Sequence, residues 1–163
     1  MSGDFGLVYD EYYKKIYNYA YYRLLNHHCA EDVTAEVFLK ALENYSAFEG
    51  RGGASVSTWL FAIAKNAVND YFRRLKKIVS IESEKLDEHI GTDENDLYSY
   101  EDRQRLRELL NELDERSREA LSLRYWGEMS YAEIARNMGV SEKNAGVILS
   151  RAVEKIRKKF NSV

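Results

Sequence analysis

The chain has 163 residues, a formal net charge of −3 and a hydrophobic fraction of 45%. This length fits one ordinary domain or two small ones, and the composition is that of a soluble protein with enough apolar residues for a core. No apolar run approaches the roughly 18 residues that a membrane span needs, so we predict no membrane insertion. The first residues show no leader pattern, and a single cysteine cannot form an internal disulfide, so we expect a cytoplasmic protein.

The net charge conceals two basic segments separated by an acidic one. Residues 82–102 contain nine acidic residues and one lysine, whereas residues 65–77 and 141–163 each carry a net charge of +4. Local charge patches, rather than the net charge of a protein, govern its attraction to phosphate groups. The sequence therefore indicates two separate segments suited to contact with nucleic acid.

The first half of the chain predicts three helices. Apolar residues recur at three- and four-residue spacing over residues 4–27, and similar patterns follow over 30–45 and 55–76. Three glycines lie within the segment 50–53, and they favour a loop because glycine adopts backbone conformations that other residues avoid. The third predicted helix ends in a basic run.

The segment 79–100 differs from the rest of the chain in composition and pattern. It is acidic and shows no sustained apolar period, which predicts a flexible linker. Helical periodicity returns at residue 101 and continues to the end. We therefore predict an all-α fold of two small helical domains, 1–78 and 101–163, joined by this linker. Each domain is near the lower size limit for an independent core.

The second domain contains the pattern of a helix-turn-helix. Ser130 and Glu133 form a capping box, Gly139 suits the left-handed residue after the first helix, and Ser141 caps the second helix. This spacing predicts that the second helix enters the major groove of DNA. An ordinary helical hairpin that contacts no DNA is the alternative interpretation of this motif.

The outer face of the second helix of this motif carries few hydrogen-bond donors. Arg151 and Lys155 suit phosphates, Asn144 and Ser150 are able to reach base edges, and Val147 is able to touch a thymine methyl group. At the centre of this face Gly146 has no side chain, and the Val147 side chain donates no hydrogen bond. We therefore expect the helix to bind DNA weakly by itself.

Four segments of the chain together resemble the extracytoplasmic-function group of sigma-70-family sigma factors of bacterial RNA polymerase. The segment "AEDVTAEVFLKAL" (30–42) resembles the family helix that docks on the polymerase clamp helices. The segment "STWLFAIAKNAVNDYFRRLKK" (57–77) resembles the helix that melts and reads the minus-ten promoter element. Segments 113–135 and 139–160 resemble the domain that reads the minus-thirty-five element. The four segments follow the family order and cover about nine-tenths of the chain.

The resemblance implies three groups of site residues. The polymerase-binding group consists of Glu31, Asp32, Glu36, Phe38 and Leu39. The minus-ten group consists of Arg51, Lys65, Asn66, Asn69, Asp70, Arg73 and Arg74. The minus-thirty-five group consists of Ser141, Lys143, Asn144, Val147, Ser150, Arg151 and Lys155. The alternative for the first group is a solvated acidic face, and for the second a helix end whose basic side chains suit the dipole.

The resemblance also implies the function and the partners of the chain. It implies an alternative sigma factor that binds core RNA polymerase and promoter DNA, melts the promoter and is held inactive by an anti-sigma protein. The alternative is a stand-alone helix-turn-helix regulator that binds operator DNA, but such a protein has no need of a docking helix. The chain departs from the family pattern at Asp114, where proline is usual, and at residues 146–148, where basic or hydroxyl side chains are usual.

The run of His27, His28 and Cys29 is the sequence feature closest to a metal site. Adjacent residues of a helix point in different directions, and no second cluster of histidine or cysteine completes a site. The sequence also shows no set of nucleophile, base and orienting residue and no nucleotide-binding loop. We therefore predict no metal site, no cofactor and no enzymatic activity.

Overall fold

The computed structural model describes residues 2–49, 55–78 and 100–161. Within these residues the chain forms helices and no strand, so the predicted all-α fold is confirmed. The glycine-containing loop and residues 79–99 of the predicted linker lie outside the described part of the chain. The helices of the described residues are α1 (Ser2–Leu24), α2 (His27–Glu49), α3 (Val56–Ile78), α4 (Tyr100–Glu112), α5 (Glu115–Tyr125), α6 (Tyr131–Met138) and α7 (Glu142–Asn161).

Helices α1, α2 and α3 form a first group around an aromatic and aliphatic core. Ile16 and Tyr19 of α1 are fully buried, and the Tyr19 ring packs edge to face on the Phe61 ring of α3 at 5.5 Å between centroids. Complete burial of one such side chain stabilises the fold by about 1.5–3 kcal/mol. The turn between α1 and α2 is tight, because Leu25 adopts a φ of 54° and the Asn26 side chain accepts from the backbone N–H of Cys29 at 3.0 Å.

Helices α4 to α7 form a second group, whose ends are set by local capping. The Asp114 side chain accepts from the backbone N–H of Ser117 at 2.8 Å and so begins α5. The Ser130 side chain accepts from the backbone N–H of Glu133, which begins α6. Gly139 ends α6 with a φ of 69°, a left-handed conformation that suits glycine. The capping predicted for the helix-turn-helix is therefore present in the structure.

The two groups of helices pack directly against each other, mainly through α1 and α5. The Tyr22 and Trp126 rings stack with centroids 4.2 Å apart, and the Arg23 guanidinium, which is 1% exposed, lies 3.1 Å from the Glu115 carboxylate. Buried side chains form one cluster that runs from the first group into the second. The second group therefore rests on α1 rather than standing apart from it.

Candidate functional site

The outer face of α2 combines acidic and apolar side chains. Glu31 and Asp32 are exposed near the beginning of the helix, and Leu39 and Leu42 expose 58% and 51% of their surface further along it. We call these four residues the α2 outer patch. Helical geometry at 100° per residue places Asp32 and Leu39 within about 20° of each other, on one side of the helix. Two carboxylates beside two exposed leucines suit a protein partner that offers both basic and apolar side chains.

Phe38 does not belong to this exposed patch, because only 5% of it is exposed. Its ring lies beneath the rings of Tyr9 and Tyr13 from α1, at centroid distances of 4.9 Å and 6.1 Å. The neighbouring side chain, Leu39, points outward. Phe38 therefore supports the patch from below, where it joins α2 to α1.

Glu36 is engaged within the protein by two cations. Its carboxylate lies 2.9 Å from the Lys40 ammonium and 3.5 Å from the Arg74 guanidinium of α3. The hydrogen bond from Lys40, together with the charges of Lys40 and Arg74, lowers the pKa of Glu36 below its ordinary value. Glu36 is half-buried and links α2 to the basic end of α3.

Four of the minus-ten candidates lie on one broad face of α3. Asn66 and Arg73 are exposed, and Asn69 is half-buried. The Asp70 carboxylate forms an ion pair with the Arg73 guanidinium at 3.2 Å. This face offers amide groups beside a cation, which suits contact with bases and phosphates of unpaired DNA. Arg51, the remaining candidate toward the loop, lies outside the described residues.

Lys65 lies at the edge of this face and turns toward the second group of helices. Its ammonium donates to the backbone carbonyl of Asn137, at the end of α6, and lies 3.7 Å from the Glu119 carboxylate of α5. Only 22% of the Lys65 side chain is exposed. The structure thus brings four minus-ten candidates together on an open face of α3, whereas Arg74 pairs with Glu36 of α2 and Lys65 turns toward α5 and α6.

Helix α7 presents all of its candidate residues to solvent. The Ser141 hydroxyl accepts from the backbone N–H of Asn144 at 3.0 Å, which sets the beginning of the helix. A groove between α7 and the start of α5 is lined by Asn144, Val147, Arg151 and Lys155 on one side and by Arg116 and Ser117 on the other. The exposed set of α7 is Lys143, Asn144, Val147, Ser150, Arg151 and Lys155, with Ser141 exposed just before it.

Two residues near α7, Tyr131 and Arg124, were not predicted as site residues from the sequence. Tyr131, the first residue of α6, is 46% exposed, and its ring lies 4.0 Å from the place where a Cβ atom on Gly146 would stand. The Arg124 guanidinium lies over this ring, 5.0 Å from its centre. The Tyr131 ring therefore lies beside the position where α7 lacks a side chain, and a cation lies over the same ring. Arg124, Tyr131 and Gly146 belong to three successive helices, so only the folded structure shows that they lie close together.

The histidines and the cysteine at the start of α2 are engaged in separate contacts. The His27 ring lies 2.5 Å from the Tyr17 hydroxyl and 3.0 Å from the Glu31 carboxylate, whereas the Cys29 thiol lies 2.6 Å from the Tyr71 hydroxyl. In the part of the chain that the structure describes, no group of three or more histidine, cysteine, aspartate or glutamate side chains is placed to hold a metal ion. None of the described helices is long and apolar enough to cross a membrane.

Comparisons with known proteins identify the family. The model of Sigma-70 region 2 matches residues 8–78, and that of Sigma-70 region 4 matches residues 103–156. The chain is 31% identical over 159 residues to the ECF RNA polymerase sigma factor SigM of Bacillus subtilis, covering 94% of this chain and 93% of that protein. The chain belongs to the ECF sigma factors of the sigma-70 family. It is an alternative sigma factor, which directs promoter recognition and transcription initiation.

A further relative agrees with this assignment, and two solved structures have a similar fold. The RNA polymerase sigma factor YlaC of Bacillus subtilis is 32% identical over 155 residues, covering 93% of this chain and 88% of YlaC. The fold is similar to that of RpoE from Bartonella quintana in complex with the anti-sigma factor NepR, with a TM-score of 0.82, 24% identity and 98% coverage of both chains. CnrH in complex with the cytosolic domain of CnrY has a TM-score of 0.72 at 21% identity, over 99% of this chain and 90% of CnrH.

Proposed function

We propose that this sigma factor uses three separate faces: α2 for core RNA polymerase, α3 for the minus-ten element and α7 for the minus-thirty-five element. The observation that carries the proposal is the distribution of charge over exposed helix faces. The α2 outer patch is acidic and apolar, whereas the exposed ends of α3 and α7 are basic. In this proposal residues 1–78 act as the docking and minus-ten domain, residues 101–163 as the minus-thirty-five domain, and residues 79–100 as their connection.

Docking rests on the α2 outer patch. Asp32 is exposed, and it lies on the same side of the helix as the exposed side chain of Leu39. Apolar contact at Leu39 and Leu42 supplies affinity, and the surrounding carboxylates select a basic partner surface. Phe38 positions the patch through its packing under Tyr9.

Minus-ten reading rests on the exposed face of α3. Asn66 has an exposed amide that is able to pair with a base turned out of the stack, and Arg73 and Arg74 suit the phosphates of the displaced strand. Asn69 and Asp70 border these groups. Lys65 joins this set only when its contacts with Glu119 and the Asn137 carbonyl are released.

Minus-thirty-five reading rests on α7 in the major groove. Arg151 and Lys155 bind phosphates and set the position of the helix on the duplex, whereas Asn144 and Ser150 reach base edges. Val147, 36% exposed, contributes an apolar contact of the kind that thymine methyl groups offer. Because few donors face the bases, the polymerase supplies most of the affinity of the complex for DNA.

An anti-sigma protein is the further partner in this proposal. The two solved structures described above are both complexes, one of the sigma factor RpoE with the anti-sigma factor NepR and one of CnrH with the cytosolic domain of CnrY. The acidic and apolar α2 outer patch gives such a protein a surface from which to exclude the polymerase. The place of action in this proposal is the cytoplasm, where polymerase and promoter DNA are present.

The proposal is tested with purified full-length chain and core RNA polymerase. We expect the chain to co-elute with core polymerase in gel filtration and to direct run-off transcription from a promoter selected out of genomic fragments. A stand-alone regulator instead binds its operator at physiological salt without polymerase and leaves run-off transcription unchanged. Absence of co-elution, together with tight DNA binding by the chain alone, would contradict the sigma-factor mechanism proposed for these three faces.

A further inference from the structure

Lys65 differs from the other described minus-ten residues in the direction of its side chain. Its ammonium donates to the Asn137 carbonyl and faces the Glu119 carboxylate at 3.7 Å, so it contacts both α6 and α5. Glu119 is only 8% exposed, so loss of this cation would leave a buried carboxylate with less compensation of its charge. Lys65, which is proposed to contact the promoter, is therefore held by α5 and α6 of the proposed minus-thirty-five domain.

Other contacts hold the same two groups of helices together. Arg23 pairs with Glu115 across the α1 and α5 surfaces at 3.1 Å, and the Tyr22 and Trp126 rings stack at 4.2 Å. The buried Arg107 guanidinium of α4 donates to the Leu25 carbonyl, which follows α1, at 3.3 Å. Two of these three contacts are polar, and they lie beside the apolar cluster that both groups of helices share. Polar and apolar contacts must therefore be released together when the two groups separate.

The closed arrangement does not match the spacing of the two promoter elements. Elements centred at minus ten and minus thirty-five are about 25 base pairs apart, which is about 85 Å of B-DNA. A compact chain of this length has a radius of gyration of about 15 Å, so its two reading faces cannot span that distance. Promoter binding at both elements requires α5 and α6 to leave α3, and this movement also releases Lys65.

We infer that Lys65 is shared between two states and couples them: in the closed chain it is a latch to Glu119 and Asn137, and in the open chain it contacts the minus-ten strand. This inference rests on the proposed function of α3. The α2 outer patch remains exposed in the closed state, whereas only 22% of the Lys65 side chain is exposed. The closed chain is thus competent to dock on polymerase while its minus-ten face is incomplete. Free sigma factor thereby lacks one of its proposed minus-ten contacts until the two groups of helices separate.

The test measures the exposure of Lys65 in the free, full-length chain. Lysines are acetylated under limiting reagent, and modification of each is followed by mass spectrometry. We expect Lys65 to react about fivefold or more slowly than the exposed Lys143, because the open state is a minor population. Glu119→Gln removes the charge that faces Lys65 and should raise its reactivity toward that of Lys143. Glu112→Gln is the matched control, because Glu112 pairs with Lys159 inside the second group only.

Two further measurements test whether exposure of Lys65 accompanies separation of the two groups of helices and tighter binding to DNA. Small-angle scattering should give a larger radius of gyration for Glu119→Gln than for the wild type. The variant should also bind a single-stranded 20-mer oligonucleotide about fivefold more tightly. Trp126→Ala breaks the stacking with Tyr22 at another point of the same interface and should produce the same three changes. It serves as the second variant if Glu119→Gln lowers the helix content measured by circular dichroism.

The outcomes separate this inference from the proposed function. Slow Lys65 acetylation in the wild type, relieved in the opened variants together with tighter oligonucleotide binding, supports the latch. Lys65 as reactive as Lys143 in the wild type overturns it, as does opening without a change in oligonucleotide binding. Run-off transcription by wild-type holoenzyme is measured in parallel. Normal transcription with a freely reactive Lys65 contradicts the latch alone, whereas absent transcription contradicts the sigma-factor mechanism itself.

Discussion

Glu36 of α2 and Arg74 of α3 form an ion pair at 3.5 Å, which joins the proposed polymerase-docking helix to the basic end of the proposed minus-ten helix. Arg74 is 59% exposed in its side chain, so the pair itself adds little stability in water. The pair instead affects the position of Arg74, because a partner protein that moves Glu36 also moves this cation of the proposed promoter face. Asp32 has no such link to α3 among the described contacts, so the two acids of α2 should respond differently to substitution.

Charge reversal at Asp32 should separate docking from folding. We expect Asp32→Arg to weaken binding to core polymerase by about tenfold or more, because it puts a cation where the partner surface is basic. Glu36→Arg should weaken binding and also lower the free energy of unfolding by about 0.5–1 kcal/mol, since it repels Lys40 and Arg74. Binding is measured by fluorescence anisotropy, and unfolding by urea titration. Glu101→Arg, an exposed reversal on α4, is the control and should leave both measurements unchanged.

Substitutions on α7 should divide into two classes in holoenzyme binding to promoter DNA. Arg151→Ala and Lys155→Ala should weaken binding to all promoters and each lower the salt slope by about 1, because each removes one phosphate contact. Asn144→Ala should change which minus-thirty-five sequences are selected, with about 1–3 kcal/mol of lost discrimination at one base position. Selection from a randomised minus-thirty-five library measures both. A uniform loss with Asn144→Ala would contradict base contact by that residue.

The buried pair of Tyr19 and Arg23 should carry a measurable share of the stability. The Arg23 guanidinium donates to the Tyr19 hydroxyl at 2.9 Å, and burial raises the pKa of Tyr19 to about 12. Tyr19→Phe leaves a buried charged donor without this acceptor and should cost about 1–3 kcal/mol in the free energy of unfolding. Urea titration at pH 7 measures the change. Tyr125→Phe, at a tyrosine that is 61% exposed, should cost less than about 0.5 kcal/mol.

The cap at Asp114 should make the stability of α5 depend on pH at the acidic end. The backbone N–H of Ser117 donates to this carboxylate and lowers the pKa of Asp114 below its ordinary value. Its contribution is therefore complete above the unfolded pKa of about 3.9 and is lost as pH falls through the lower folded pKa. Asp114→Ala should cost about 1 kcal/mol at pH 7, and Asp114→Asn less, because asparagine also caps helices.

Thermal unfolding of these two variants and the wild type checks the cap. The difference in Tm between wild type and Asp114→Ala should be largest near neutral pH and should shrink below pH 4. A difference that stays constant from pH 7 to pH 3 would show that the carboxylate charge plays no part in the cap. The same measurement on Glu101→Ala, an exposed acid in the first turn of α4, gives the effect of removing a surface charge alone.

Features that depend on neighbours in sequence were predictable without the structure. The capping of α6 by Ser130, the left-handed Gly139 and the start of α7 at Ser141 follow from hydrogen bonds that span three residues. Because these bonds form within one turn of helix, residue types and spacing are sufficient to predict them. Helix α2 nevertheless begins at His27 rather than Ala30, since the Asn26 side chain satisfies a backbone donor at the start of the helix.

The sequence by itself determined the helices, their caps, the separation of charge and the family resemblance, because all of these depend on local order along the chain. The tertiary structure alone decided which side of each helix is covered. Phe38 and Leu39 are adjacent, yet contact with α1 buries the first and leaves the second exposed. Lys65 and Asn66 are adjacent as well, and only the packing of α3 against α5 and α6 directs the lysine inward. The two partners of Lys65, Glu119 and Asn137, are 54 and 72 positions away in the sequence and come near it only after the chain has folded.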